Sequence, residues 1–236
     1  MVAVSQVSMR EVVARRGAFV FRCPSWDLPP GLSVLVGLNG AGKSTFLELL
    51  AGRLSAAEGR IIRTGVGSYL PQGARLDWPG TVASALLYLS EIRGVARSER
   101  HGRMRDAIAE TGLESVVDKR VRALSGGWHR RLLVAQCLVD DRGAMLLDEP
   151  TDALDVGASQ EIWTTLRAVA RSRPVLVATH QASAAVEFAD HLIAVNNGVI
   201  RTPQEGPRLR ELLAASEQSP DAFLLEIMSA GDDGYG

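Results

Sequence analysis

Short apolar runs alternate along the chain with segments in which apolar residues recur at helical spacing. Such alternation is typical of an α/β fold, because parallel strands are joined by helices and are buried on both faces. We therefore predict a mostly parallel sheet flanked by helices. Its central strands are expected near Val34, Met145, Val175 and Ile193.

Further helical segments lie outside this alternation. Residues 82–92 have the spacing of an amphipathic helix, and residues 98–111 that of a charged, exposed one. Helices are also expected at residues 208–215 and 221–228, where the chain extends beyond the last predicted strand.

The run at residues 32–36 leads into Gly37-Leu38-Asn39-Gly40-Ala41-Gly42-Lys43-Ser44-Thr45, which fits the pattern G-x-x-x-x-G-K-[ST] before a helical segment. Its glycines let the backbone direct N–H groups at a triphosphate, Lys43 reaches the outer phosphates and Ser44 offers a hydroxyl to Mg²⁺. The alternative is a glycine-rich turn before a helix. Of 26 basic residues only two are lysines, so an accidental basic residue here would have been arginine. The predicted nucleotide-binding residues are Gly37, Asn39, Gly40, Ala41, Gly42, Lys43, Ser44 and Thr45.

A second apolar run, at residues 144–147, ends in Asp148-Glu149-Pro150. Ligands of parallel sheets bind at the carboxyl ends of the strands, where phosphate-loop enzymes place acids. Asp148 is expected to orient Mg²⁺ and Glu149 to position the attacking water. A solvated strand exit is the alternative for this motif when it is taken alone.

Composition narrows the classes of function. With 236 residues, of which 46% are hydrophobic and 22% charged, the chain can bury one substantial core. A net charge of −1 provides no basic field for nucleic acid. Cys23 and Cys137 lack metal spacing and are expected in the core of a protein in a reducing compartment.

The chain contains no apolar segment of the roughly 18 to 20 residues that a membrane-spanning helix needs. Its first residues lack the charged and then apolar regions of a secretory signal. These features predict a cytoplasmic location, with membrane contact only through a partner.

Residues 124–128, Leu-Ser-Gly-Gly-Trp, precede a helical run at 130–139 and are called the signature segment below. A serine and two glycines at a helix start offer a cap, free N–H groups and the positive end of the helix dipole. They predict a second anion site at Ser125, Gly126 and Gly127. Taken alone, the segment is equally a helix-capping turn.

Together, the phosphate loop, the signature segment and Leu146-Leu147-Asp148-Glu149-Pro150 resemble ABC-type ATPase domains in order and spacing, over nearly the whole chain. The resemblance implies a P-loop NTPase core with a mostly parallel sheet, an N-terminal antiparallel β layer and an inserted helical subdomain. The antiparallel layer is expected at residues 1–30 and parts of 59–70. The implied division of a single 1–236 domain is 1–72 and 140–205 for the core, 73–139 for the helical subdomain and 206–236 for a C-terminal extension.

The same resemblance assigns further residues of the site. Gln72 matches the family's glutamine, which senses Mg²⁺ and the attacking water, and His180 matches the switch histidine. Residues 151–155 resemble the loop that crosses the dimer interface. Considered singly, Gln72 could be a polar turn residue and His180 a strand-end histidine.

By resemblance, two identical or homologous copies dock head to tail around two ATP molecules. Ser125 and Gly127 of one chain contact the γ-phosphate that Lys43 and Ser44 of the other hold. A separate transmembrane permease is the expected partner, with no nucleic acid. Residues 128–132, Trp-His-Arg-Arg-Leu, are similar to the ATPase subunits of two-component exporters. The alternative is an ABC ATPase without a permease, such as the iron-sulfur cluster assembly type.

The adenine contact departs from the family pattern. The aromatic residue expected before the phosphate loop would fall near residues 14–16, Ala-Arg-Arg. Phe19 or Phe21 could take its place, and Phe19 is the predicted contact. Alternatively, both phenylalanines pack in the antiparallel layer and Arg15 or Arg16 stacks through its guanidinium plane.

Overall fold

The computed structural model describes residues 6–64, 66–140, 143–200, 204–216, 218–220 and 222–223. The strands are β1 (Gln6–Arg16), β2 (Phe19–Asp27), β3 (Leu32–Val36), β4 (Glu58–Thr64), β5 (Val66–Leu70), β6 (Ala144–Asp148), β7 (Val175–Thr179), β8 (His191–Asn196), β9 (Val199–Ile200) and β10 (Gln204–Glu205). The helices are α1 (Lys43–Leu50), α2 (Val82–Ile92), α3 (Arg100–Thr111), α4 (Gly126–Ala135), α5 (Val156–Val169), α6 (Ala182–Phe188) and α7 (Gly206–Ser216).

The centre of the sheet is parallel. Its strands run in the order β4-β1-β2-β9-β8-β3-β7-β6-β5, and β8, β3, β7 and β6 pair in parallel with one another. Every residue of β3, β6 and β7 is buried, as continuous apolar strands covered by helices require. The predicted central strands are therefore confirmed, and their carboxyl ends share one edge.

The antiparallel layer is confirmed in part. β1 pairs with both β2 and β4, so residues 58–64 belong to this layer. Only parts of residues 59–70 were expected in the layer, and the rest of that range, β5, pairs in parallel with β6. There it covers a backbone edge of β6 that would otherwise be unpaired.

Apolar side chains form a separate cluster on each side of the sheet and a third among helices. The first includes Leu133, Trp163 and Phe188, and the second Phe21 and Phe46. The third lies among α2, α3, α4 and the residues between them, and it includes the buried residues Leu86, Ile108 and Leu132. A helical unit with apolar packing of its own thus lies within residues 73–139, whereas the exact domain boundaries stay a prediction.

Several predicted helix bounds differ from those observed. α2 lies at residues 82–92 as predicted, and α3 begins two residues late, at Arg100. The prediction of 130–139 for the next helix is wrong, because α4 spans Gly126–Ala135. Ser125 has the extended backbone of an N-cap, so the helix begins directly after it, and the chain turns after Ala135 toward β6. α7 contains the predicted helix at 208–215, whereas 221–228 lies mostly outside the described residues.

Both cysteines are buried and free within the part of the chain that the structure describes, as expected of core residues. Burial raises the pKa of Cys23 to about 12. Among the described helices, none is both long enough and apolar enough to cross a bilayer.

Candidate active site

A cleft of about 370 Å³ opens at the carboxyl edge of the sheet. Because β3, β7 and β6 are adjacent, the loops that follow them meet there. The cleft is lined by Arg16, Phe19, Leu38, Asn39, Gly40, Gly42, Lys43, Ser44, Thr45, Gln72, Asp148 and Glu149. Most of the predicted site residues, distant in sequence, thus line one surface.

The phosphate loop, residues 37–45, leads from β3 into α1. Gly37 has no room for a side chain, because a Cβ there would lie 2.6 Å from the carbonyl oxygen of Val195. Gly42 has a φ of 113°, and its added Cβ would lie 3.0 Å from Phe19. Ala41 is buried beneath the loop, whereas Asn39 and Gly40 are exposed. The loop shape therefore depends on glycine at positions that the motif specifies.

Lys43 is the first residue of α1 and is only 7% exposed. Its Nζ donates to the carbonyl oxygen of Gly37 at 2.8 Å and lies 3.8 Å from Oε1 of Glu149. Burying an ammonium group is costly unless its charge is compensated, and here a carboxylate lies close to it. The positive charge is held beside backbone N–H groups at a helix N-terminus, which favours an anion.

Asp148, at the end of β6, is 1% exposed. Burial raises its pKa; a hydrogen bond from the Ser44 side chain lowers it, and the charge of Glu149 raises it. Its Oδ1 is buried and has no hydrogen-bond partner among the described residues. An unpartnered carboxylate oxygen beside a hydroxyl suits a hard cation, so Asp148 and Ser44 fit Mg²⁺. The described residues include no cluster of three His, Cys, Asp or Glu side chains that could hold a metal, so further ligands would come from phosphate and water.

Glu149 follows β6 in an unusual backbone conformation. Its φ is 50°, in the left-handed region that costs a residue with a side chain about 1–3 kcal/mol. Its N–H donates to the carbonyl of Ala178 on β7 at 2.9 Å, and its side chain is 4% exposed. Oε2 lies 3.0 Å from Nδ1 of His180 and accepts from the His180 backbone N–H at 3.4 Å. His180 is not among the described residues that line the cleft, but it contacts the carboxylate of Glu149, which does line it.

Sequence reasoning did not assign a role to Arg130, which reaches the same residue from α4. Its Nη2 donates to the carbonyl oxygen of Glu149 at 2.9 Å, and the residue is 9% exposed. The only sequence signal was its place in the Arg-Arg-Leu run, which does not show which arginine faces β6.

The signature segment lies elsewhere in the chain. None of Ser125, Gly126 and Gly127 is among the described residues that line the cleft, and the first two are exposed at the start of α4. Ser125 occupies the predicted N-cap position, but within the described residues its side chain makes no capping hydrogen bond. The expected side-chain cap is therefore wrong, and the first N–H groups of α4 are left without it.

Phe19 and Arg16 both line the cleft, whereas Arg15 does not appear among its described lining residues. Phe19 also packs close to Gly42 and Gly198. Arg16 is exposed and pairs with Glu48 at 3.1 Å. The choice between Phe19 and Arg16 as the contact for a base thus stays a prediction.

Comparison with known proteins gives a consistent result. Residues 24–152 match the family model described as ABC transporter. The chain is 32% identical over 196 residues to the zinc transport system ATP-binding protein TroB of Treponema pallidum (strain Nichols), covering 74% of this chain and 73% of that protein. It is 35% identical over 178 residues to the Nod factor export ATP-binding protein I of Rhizobium meliloti, covering 70% of this chain but only 53% of that protein.

A solved structure shares the fold. It is cbiO1 from Clostridium perfringens, part of the ABC transporter complex cbiONQ, with a TM-score of 0.77 and 19% identity. The alignment covers 95% of this chain and 99% of cbiO1. The mostly parallel sheet with its antiparallel edge is thus the fold of an ABC ATPase.

Proposed function

Because the chain belongs to the ABC transporter family, whose ATP-binding domains are ATPases, we propose that it binds and hydrolyses ATP to drive a separate membrane permease. One observation carries the proposal. A buried lysine, a buried aspartate with an unpartnered oxygen and a glutamate held by a histidine converge on one cleft at the end of a phosphate loop.

Each group has a distinct task in this mechanism. Lys43 and the N–H groups at the start of α1 bind the outer phosphates of ATP. Ser44, Asp148 and Gln72 hold Mg²⁺, which neutralises phosphate charge when bound. Glu149 orients the attacking water and accepts its proton, and His180 keeps the Glu149 carboxylate in place.

We further propose that the working form is a pair of chains, identical or homologous. The phosphate-binding groups of the cleft come from the phosphate loop and the start of α1, whereas Ser125, Gly126 and Gly127 lie at another helix N-terminus, outside the described lining of the cleft, with Ser125 and Gly126 exposed. In the pair, these residues of one chain complete the phosphate site of the other, because additional N–H donors stabilise the charge that develops on the γ-phosphate.

The permease is proposed to contact an apolar patch on the helical unit, formed by Trp78, Tyr88 and Ile92. Tyr88 and Ile92 are 46% and 60% exposed on one face of α2, and Trp78 stacks on Tyr88 with ring centroids 4.7 Å apart. Exposed apolar patches mark sites of protein association. We propose that this contact holds the chain at the cytoplasmic face of a membrane.

Export is the proposed direction of transport. It is supported by the Trp128–Leu132 segment and by several relatives named as Nod factor export proteins at 34–35% identity. The relative named for zinc transport has a similar identity, so the substrate is not part of the proposal.

Equilibrium binding of ATP to the purified chain tests the first step. We expect binding that depends on Mg²⁺, and a loss of at least about tenfold in affinity, or 1.4 kcal/mol, in Lys43→Ala. Lys119→Ala is the matched control, because Lys119 is the other lysine and is exposed in the helical unit. Equal affinity of the Lys43→Ala and Lys119→Ala variants for ATP would contradict the proposal.

Purification from native membranes tests the permease. The tagged chain should recover a membrane protein, and Ile92→Glu should reduce that recovery while leaving ATP binding intact. Recovery of the chain only in a soluble complex, with ATPase activity indifferent to detergent or lipid, would favour an ABC ATPase without a permease.

A further inference from the structure

Arg130 is a buried cation that the proposed mechanism does not yet use. It lies on α4, four residues after Gly126 begins the helix, and its guanidinium reaches across to the carbonyl of Glu149 at 2.9 Å. Burial lowers the pKa of Arg130, and the negative charges of Asp152 and then Glu149 raise it. Its charge thus lies between the end of β6 and the loop that follows it.

The contact from Arg130 holds one of the two backbone polar groups of Glu149, its carbonyl. The N–H of Glu149 is bound to β7 through Ala178, and the carbonyl is bound to α4 through Arg130. Glu149 lies between these two hydrogen bonds and has a φ of 50°. This backbone conformation is unfavourable for a residue with a Cβ, and it persists only where surrounding bonds hold it. Rotation of this backbone would move the carboxylate away from His180 and Lys43.

We propose that Arg130 is a positioning residue that holds Glu149 in its reactive conformation and couples it to the signature end of α4. The inference rests on the proposed role of Glu149 in hydrolysis. When a phosphate engages Ser125–Gly127, any displacement of α4 moves the guanidinium that holds the Glu149 carbonyl. Hydrolysis is thereby linked to engagement of the signature segment through a contact within the same chain.

Arg131 provides a matched comparison, because it is the next residue on α4 but points elsewhere. Its guanidinium lies 4.8 Å from the centroid of the Trp128 ring and forms an ion pair with Glu161 on α5. Its Nη1 is 3.5 Å from the carbonyl of Thr111 on α3. Loss of Arg131 should therefore affect packing among the helices without altering Glu149.

The test compares Arg130→Met, Arg130→Lys and Arg131→Met. Methionine keeps an unbranched stem but cannot donate, and lysine restores a donor. Turnover is measured at saturating Mg²⁺ and ATP, on the chain with its membrane partner where turnover requires one, and is expressed per ATP-binding site so that unfolded protein does not count. We expect Arg130→Met to lower kcat about tenfold or more with KM within about threefold, Arg130→Lys to recover part of the loss, and Arg131→Met to keep kcat.

A second measurement, on the double variant, tests whether Arg130 acts through Glu149. If Arg130 acts through Glu149, adding Arg130→Met to a Glu149→Gln variant should lower the residual single-turnover rate less than about twofold, because effects on one unit are not additive. A kcat for Arg130→Met equal to that of the unaltered protein, or full multiplication of the two losses, would overturn the inference. Normal turnover in Glu149→Gln alone would instead reject the role of Glu149 itself.

Discussion

The phosphate loop before α1 and the signature segment at the start of α4 both contain glycines, and they depend on glycine in different ways. In the phosphate loop, a Cβ at Gly37 would lie 2.6 Å from a backbone oxygen, so the chain itself excludes any larger residue. In the signature segment, an added Cβ at Gly126 meets no described atom within 4 Å, and one at Gly127 meets only the Cβ of Ala158 at 3.9 Å. The phosphate loop is therefore shaped by the residues around it, whereas the two glycines of the signature segment have open space around them.

The difference also holds for the polar groups. Lys43, Ser44 and Glu149 have partners within the chain, and the unpartnered oxygen of Asp148 points to a cation that is expected there. Ser125 and Gly126 are exposed, and the Ser125 side chain makes no capping bond among the described residues. Glycine at Gly126 and Gly127 is not required by the single chain, so any requirement would come from what docks against them.

The largest expected effect concerns the cleft around the phosphate loop, where the polar groups have partners within the chain. Glu149→Gln keeps the size of the side chain but removes the charge that accepts a proton, so we expect kcat to fall by about 10² to 10⁴-fold. Affinity for ATP should stay within about threefold of the original, because the residues assigned to the phosphates are unchanged. Steady-state ATPase assays and equilibrium binding measure the two quantities. Turnover near the original rate would remove Glu149 from the mechanism.

Alanine substitutions at the two glycines separate the regions next. Gly37→Ala should lower the free energy of unfolding by about 1–3 kcal/mol through overpacking. Gly126→Ala should leave it unchanged or raise it by about 0.5–1 kcal/mol, because alanine is favoured over glycine in a helix.

At Gly126, we expect the alanine substitution to lower the ATPase rate although it does not lower stability. The stable Gly126→Ala variant is expected to lose about tenfold in ATPase rate, because the new methyl group projects into the space proposed for nucleotide and the second chain. Urea unfolding and ATPase assays on the same preparations provide both readouts. An ATPase rate equal to that of the unaltered protein would mean that this surface makes no close contact during turnover.

The raised pKa of Asp148 predicts how the stability of the folded chain depends on pH. A carboxyl whose pKa is raised by folding binds its proton more tightly in the folded state, so stability falls as pH rises from the ordinary value of 3.8 through the raised one. Asp148→Asn should therefore raise the Tm of the nucleotide-free chain at pH 7, and the gain should disappear below about pH 4.

The same variant should respond less to Mg²⁺ and ATP. The added stability from a ligand depends on its affinity for the folded state, and an asparagine at this position would offer a neutral oxygen in place of a charged one. Thermal scans with and without Mg²⁺ and ATP measure this difference, with the exposed Asp106 changed to asparagine as control. A nucleotide-free Tm lower than that of the unaltered chain would contradict the prediction.

Sequence patterns predicted the central strands and the convergence of the phosphate loop with Asp148 and Glu149, because strand order in a parallel sheet places carboxyl ends together. They did not predict that residues 66–70 join the parallel part, since β5 is a short strand whose partner is chosen by tertiary pairing. They also missed the contact from Arg130 to Glu149. Two adjacent arginines on a helix differ in direction by about 100°, and only the packing of α4 decides which of them faces β6.

The smallest expected effect concerns the contact with the adenine base in the same cleft. Phe19 both lines the cleft and packs near Gly42, so Phe19→Leu is preferable to alanine because it retains apolar packing while removing the aromatic face. If Phe19 stacks on the base, this variant should lose about 1 kcal/mol, or roughly fivefold, for ATP and GTP alike, because every base has a π-face. Arg16→Ala should then change little beyond its exposed ion pair with Glu48. Competition binding with ATP and GTP decides between them: a loss confined to Arg16→Ala would transfer the base contact from Phe19 to the guanidinium of Arg16.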